Sequence, residues 1–150
     1  MSVINAMNND YSVIDASLVI KALILNADQA QCLFILNKLK KSKLLVPALW
    51  FYEVTSVLAK IVHLKQISKD ESKRILNQSM LLDVEVIAPD EIQNSLALEW
   101  AFRLNRASAY DCFYLAIADS LGVPFWTADK RLYNSLKDVR PNWCHWIYEG

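Results

Sequence analysis

Residues 11–17 read Tyr11-Ser12-Val13-Ile14-Asp15-Ala16-Ser17: a short β-like apolar run that stops at an acid, with Ser17 placed to cap a helix to about Leu25. The same pattern recurs along the chain. Leu44-Leu45-Val46 is closed by Pro47 and followed by an apolar helical stretch from about Ala48 to Lys65. Val84-Glu85-Val86-Ile87 is closed by Pro89, with Asp90 in capping position for the next helix. Pro124-Phe125-Trp126-Thr127 is a fourth strand, and Asp129 opens a helix to about Leu136. Trp143 to Tyr148 reads as a terminal strand. Between these lie a helix capped by Asp28, one opened by the capping box Ser68-Lys69-Asp70-Glu71, and one capped by Ser108 that ends before Gly122. The order is β-α-α-β-α-α-β-α-α-β-α-β. Short apolar strands separated by helices predict a short parallel sheet covered on both faces, an α/β fold of the three-layer α/β/α sandwich type.

Composition narrows the function. The chain has 150 residues, which suits one domain over residues 1–150. At 54% hydrophobic and zero net charge, it carries enough apolar surface for a core and lacks the charge imbalance of a disordered chain. With two glycines, most phosphate-cradling loops are excluded, and no Walker-type loop is present. Zero net charge also excludes nucleic-acid binding by bulk charge, so any such contact is local. Cys32, Cys112 and Cys144 form neither a disulfide framework nor a zinc motif. No basic signal region stands in residues 1–20, and the apolar stretch Val13–Leu25 is broken by Asp15, Ser17 and Lys21. The expectation is a cytoplasmic protein with no membrane segment.

Four acids fall where an α/β sheet binds ligands, beyond the carboxyl ends of its strands. Asp15 follows the first strand and Asp129 the fourth. Glu53 lies about a turn into the helix after the second strand, and Asp111 near the start of the helix before the fourth. Crossover connections bring those helix ends to one sheet edge. Asp15, Asp111 and Asp129 each read equally as helix-terminal partners. Glu53, between Tyr52 and Val54, is costly on an apolar helix unless paired or metal-bound. Converging carboxylates repel unless protons or a cation intervene, and oxygen-only ligation suits Mg²⁺ or Mn²⁺.

Together Val13-Ile14-Asp15-Ala16-Ser17, Val46-Pro47-Ala48-Leu49-Trp50-Phe51-Tyr52-Glu53-Val54, Ala109-Tyr110-Asp111-Cys112-Phe113-Tyr114-Leu115-Ala116 and Phe125-Trp126-Thr127-Ala128-Asp129 resemble the PIN domain, a family of metal-dependent ribonucleases. The short form is similar to VapC-type toxins of bacterial toxin–antitoxin pairs. The resemblance implies a metal-binding and catalytic quartet of Asp15, Glu53, Asp111 and Asp129 around Mg²⁺ or Mn²⁺. It implies supporting roles for Thr127 and Ser17, hydrolysis of RNA to 5′-phosphate and 3′-hydroxyl ends, a homodimer and a silencing antitoxin. The apolar Ala48–Lys65 helix also suggests a subunit interface. One departure is Ser56, where many relatives have Asn.

Arg103, Arg106, Lys130 and Arg131 flank the acids and are candidates to hold RNA phosphates, with ordinary surface charge the alternative. Asp119 reads as a solvated charge. Trp50, Trp100 and Trp126 read as core. The leading function is thus a metal-dependent endoribonuclease, a type II toxin. The alternative is a non-catalytic PIN-like module that binds RNA or a partner. Phosphotransfer through an aspartyl phosphate ranks third, because position 17 is Ser rather than a second Asp.

Overall fold

The run that stops at Asp15 is the middle strand of the sheet. The computed structural model describes residues 10–106 and 109–149. In it, β1 (Tyr11–Ile14), β2 (Lys43–Pro47), β3 (Val84–Ile87), β4 (Phe125–Thr127) and β5 (Cys144–Trp146) pair in parallel, in the order β3-β2-β1-β4-β5. Val13, Ile14, Leu44, Leu45, Val46 and Phe125 are buried, as strands covered on both faces must be. The outer strand β3 is more open, and Val86 is exposed.

Helices α1 (Ala16–Leu23) and α2 (Gln29–Leu39) connect β1 to β2. α3 (Leu49–His63) and α4 (Lys69–Met80) connect β2 to β3, and α5 (Glu91–Arg103) and α6 (Cys112–Leu121) connect β3 to β4. α7 (Lys130–Ser135) leads to β5. The expected element order is observed, and the three-layer sandwich with it. α6 crosses β1, β2 and β4 and packs on α5. Its residues Tyr114 to Ala118 are all buried, which explains why it is apolar on every side. Gly122 ends it at φ 67°, the left-handed cap that glycine adopts without a Cβ clash.

Several local expectations are corrected. The cap of α1 is Asp15, whose carboxylate accepts from the Leu18 N–H, and not Ser17. Asp28 precedes α2 without a side-chain cap, because its carboxylate faces Lys21 and the Tyr148 hydroxyl. α3 is not buried on several sides: Trp50, Val54 and Leu58 form one buried stripe, and Tyr52 and Val57 are exposed. Asp119 is no free surface charge, since it accepts a hydrogen bond of 3.1 Å from the Trp100 indole. The final strand is shorter than residues 143–148, and the cap expected at Ser108 lies outside the described residues. Ser68 and Asp90 cap as expected, and Trp50 and Trp100 are core. The three cysteines are buried and free. Among the described residues no helix is long and apolar enough to cross a membrane.

Leu45 is fully buried in β2, between β1 and β3. Leu45→Ala is expected to lower unfolding free energy by about 2–5 kcal/mol through lost transfer energy and a cavity. Val86→Thr, on the open strand, is expected to stay within about 0.5 kcal/mol. Urea titrations compare the two; equal effects would contradict the burial described.

Candidate active site

Strand order reverses between β1 and β4, and open α/β sheets bind ligands beyond such a reversal. Asp15 directly follows β1 there, and Asp129 stands two residues after the end of β4. Glu53 reaches the same place from the second turn of α3, and Asp111 from the position preceding α6. The four carboxylates line one cavity of about 200 Å³, with Ser17, Lys21 and Tyr114 among the other walls.

Each acid is held by a different device. Asp15 is 6% exposed. Its Oδ1 accepts from the Ser17 hydroxyl at 2.6 Å and the Leu18 N–H at 3.2 Å, and its Oδ2 from the Thr127 hydroxyl. The same hydroxyls accept in turn: Ser17 from the Ala128 N–H at 3.1 Å, Thr127 from the Asp129 N–H at 2.9 Å. Asp129 Oδ1 caps α7 through the N–H groups of Arg131 and Leu132, at 3.0 and 3.2 Å. Glu53 Oε1 accepts from the Tyr114 hydroxyl. Asp111 Oδ2 lies 3.1 Å from Arg106 Nη2.

The sequence pattern of the PIN domain matches residues 12–135, most of the chain. The chain belongs to the PIN-domain family. Solved structures with the same fold include a toxin–antitoxin complex from Klebsiella pneumoniae, 14% identical, with a TM-score of 0.65 over 93% of this chain and 99% of that one. VapBC2 from Rickettsia felis, bound to a DNA fragment from its promoter, is 13% identical with a TM-score of 0.64 over 91% and 98%. Mycobacterium tuberculosis VapC20, a toxin that cleaves the sarcin–ricin loop, is 14% identical with a TM-score of 0.61 over 87% and 99%. No curated protein matches the chain by sequence.

Electrostatics in this PIN domain follow from burial. Desolvation pushes the Asp15 carboxyl up to about 6, against the pull of the Ser17 and Thr127 hydroxyls, and the charge of Asp129 adds to the rise. Desolvation takes Glu53 up to about 7; its hydrogen bond from Tyr114 opposes this, and Asp111, Asp15 and Asp129 reinforce it. Asp111 is also raised by burial, with Arg106 and Arg131 pulling it down. Burial and the neighbouring Glu53 hold the Tyr114 phenol far above its usual range, so it stays a donor. Burial raises the Cys112 thiol, beside Asp111, to about 11, so it is no thiolate nucleophile at neutral pH.

The donor set is carboxylate and hydroxyl oxygen, without His or Cys at the cavity, which suits a hard cation such as Mg²⁺. Among the described residues no three His, Cys, Asp or Glu side chains form a ready-made metal cage. Mg²⁺ commonly keeps most of its water and takes only one or two carboxylates directly, so its binding does not require such a cage.

The flanking cations separate. Arg106 is occupied by Asp111. Arg103 lies over the Trp100 ring, 4.7 Å from its centroid. Lys130 and Arg131 are exposed in the first turn of α7. Two cavity residues escaped the sequence reading. Lys21 donates to the Ala128 carbonyl at 2.9 Å and lies 3.5 Å from Asp28. Its only signal is that it interrupts an apolar run. Tyr114 stands three residues after Asp111, hence on the same helix face, a spacing that could have marked it.

Asp15 and Glu53 bind protons more tightly folded than unfolded, where 3.8 and 4.5 apply. Their contribution to stability is fully present below about pH 4 and is lost as pH rises through about 6 to 7. Glu53→Gln keeps an acceptor for Tyr114 and removes the charge. In EDTA it is expected to melt higher than the native protein at pH 8 and close to it at pH 5. Identical melting shifts at both pH values would contradict the assignment.

Proposed function

We propose that this PIN domain is a metal-dependent endoribonuclease, the toxin of a type II toxin–antitoxin pair, with Asp15, Glu53, Asp111 and Asp129 as its catalytic metal-binding quartet. The convergence of four carboxylates on one cavity at the strand-order reversal carries this reading. Family membership supports nuclease chemistry. The toxin role is supported by the fold shared with a sarcin–ricin-loop-cleaving toxin and toxin–antitoxin complexes.

When bound, Mg²⁺ or Mn²⁺ supplies Lewis-acid polarisation of a phosphate oxygen and makes water a stronger nucleophile. The chain's own part is orientation. Ser17 and Thr127 fix both oxygens of Asp15, so its carboxylate plane cannot rotate. Tyr114 fixes Glu53 through Oε1 and leaves Oε2 without a hydrogen-bond partner among the described residues. Lys130 and Arg131, exposed beside Asp129, hold RNA phosphates; Arg106 reaches RNA only by leaving Asp111, and Arg103 contributes at the margin. Partners are an RNA substrate, a cognate antitoxin and a second copy of the chain. The exposed Ile92, Leu98 and Phe102 of α5 offer an apolar face for pairing.

Purified protein is expected to cut total cellular RNA into discrete fragments with Mn²⁺ and not with EDTA. Asp111→Asn is expected to lower the rate by two or more powers of ten, a loss of several kcal/mol of transition-state stabilisation. Metal binding without cleavage of any RNA supports the binding-module alternative. Sedimentation at micromolar concentration tests pairing, and a monomer removes it.

A further inference from the structure

Just beyond the acid cavity a polar side chain opens on an apolar pocket. Gln93 of α5 is 6% exposed, and its backbone N–H donates to Asp90. Its side-chain amide makes no hydrogen bond among the described residues. The amide is open to solvent at the pocket it lines, and so to whatever enters it. Gln93 lines an apolar pocket of about 310 Å³ with Pro47, Leu49, Tyr52, Ile87, Tyr110 and Phe113. That volume is at the lower end of small-ligand pockets, roughly 300–1,000 Å³.

The pocket runs into the acid site. Leu49, Tyr52 and Tyr110 also line a shallow cleft with Glu53 and Ser56, and Glu53 lines the acid cavity. Sequence adjacency enforces this, since Tyr52 precedes Glu53 and Tyr110 precedes Asp111. Both tyrosines are largely exposed, at 71% and 63%.

We propose that this pocket receives one unpaired nucleobase of the RNA beside the scissile phosphate, stacked on the tyrosines and read by the Gln93 amide. The inference rests on the endoribonuclease reading above. No charged residue lines the pocket, so a neutral base fits it and a phosphate or a charged side chain does not. Bases splayed from single-stranded RNA are commonly held by aromatic stacking plus hydrogen bonds to their edges. A glutamine amide offers a donor and an acceptor side by side, which can pair bidentately with a base edge.

The test is fluorescence anisotropy of the metal-free protein, in EDTA, with four labelled single-base hexaribonucleotides: adenosine, cytidine, uridine and inosine. The native protein is expected to favour one base over the others by at least fivefold. Gln93→Leu, which keeps the pocket apolar and removes the amide, is expected to bring all four within about twofold. Tyr52→Ala is expected to weaken the preferred hexamer roughly 5- to 150-fold, the range of one stacked base. Four equal native affinities, or an undiminished preference in Gln93→Leu, overturn the proposal. So does conversion of a dimer to monomers by Tyr52→Ala in sedimentation, which assigns the pocket to a second copy. Metal-dependent cleavage at the same positions by native protein and Gln93→Leu leaves the nuclease reading standing and removes the pocket. A base preference lost in Gln93→Leu, in a protein that cuts no RNA, retains the pocket and removes the nuclease reading.

Discussion

A carboxylate buried at the middle of the sheet sets the terms for the rest of the molecule. Asp15 lies at the end of the central strand, and an unpaired charge there would be very costly. The fold answers with three donors that come from two places in the chain. Ser17 and Leu18 belong to the first turn of α1, and Thr127 to β4, 112 residues away in sequence. The hydrogen bond from Thr127 ties the two strands that flank the order reversal. Ser17 and Thr127 then receive the Ala128 and Asp129 N–H groups, which fixes the direction in which the chain leaves β4. The arrangement of the cavity is thus a consequence of satisfying one buried acid.

The remaining acids are held less completely, and their environments differ accordingly. Asp129 has helix N–H groups, Glu53 one phenol and Asp111 one guanidinium. Desolvation and mutual repulsion raise Asp15, Glu53 and Asp111 together. A site arranged this way works against the stability of its own fold, as preorganised functional sites commonly do. The compensation comes from the core, to which α6 contributes the buried residues Tyr114 to Ala118 against the sheet. α6 also carries Tyr114 into the cavity, so the helix that supplies core packing orients an acid as well.

The neighbourhood of the site joins two chemical characters. The acid cavity is oxygen-lined, and the pocket beside it is apolar but for the amides of Gln93 and Asn94. Tyr52 and Tyr110 stand at the boundary, each next in sequence to an acid. Such a boundary can place a phosphate and a base at once, because the two parts of a nucleotide make opposite demands on their surroundings.

The sequence by itself determined the element order, the parallel sandwich and the acids at strand ends. These depend on local signals: apolar runs of strand length, prolines at their ends, and capping residues such as Ser68 and Asp90 that act within three or four positions. What it misjudged needed knowledge of distant partners. Ser17 looked like the cap of α1, but its hydroxyl is drawn to Asp15 and to the Ala128 N–H, and Asp15 caps instead. Asp119 looked solvated, yet the Trp100 indole, 19 residues earlier, donates to it. Spacing along α6 could mark Tyr114 as facing the site, but the hydrogen-bond partners of Lys21 and Tyr114 were decided by the tertiary structure. Each depends on which groups from other elements come within hydrogen-bonding reach, and no local pattern encodes that distance.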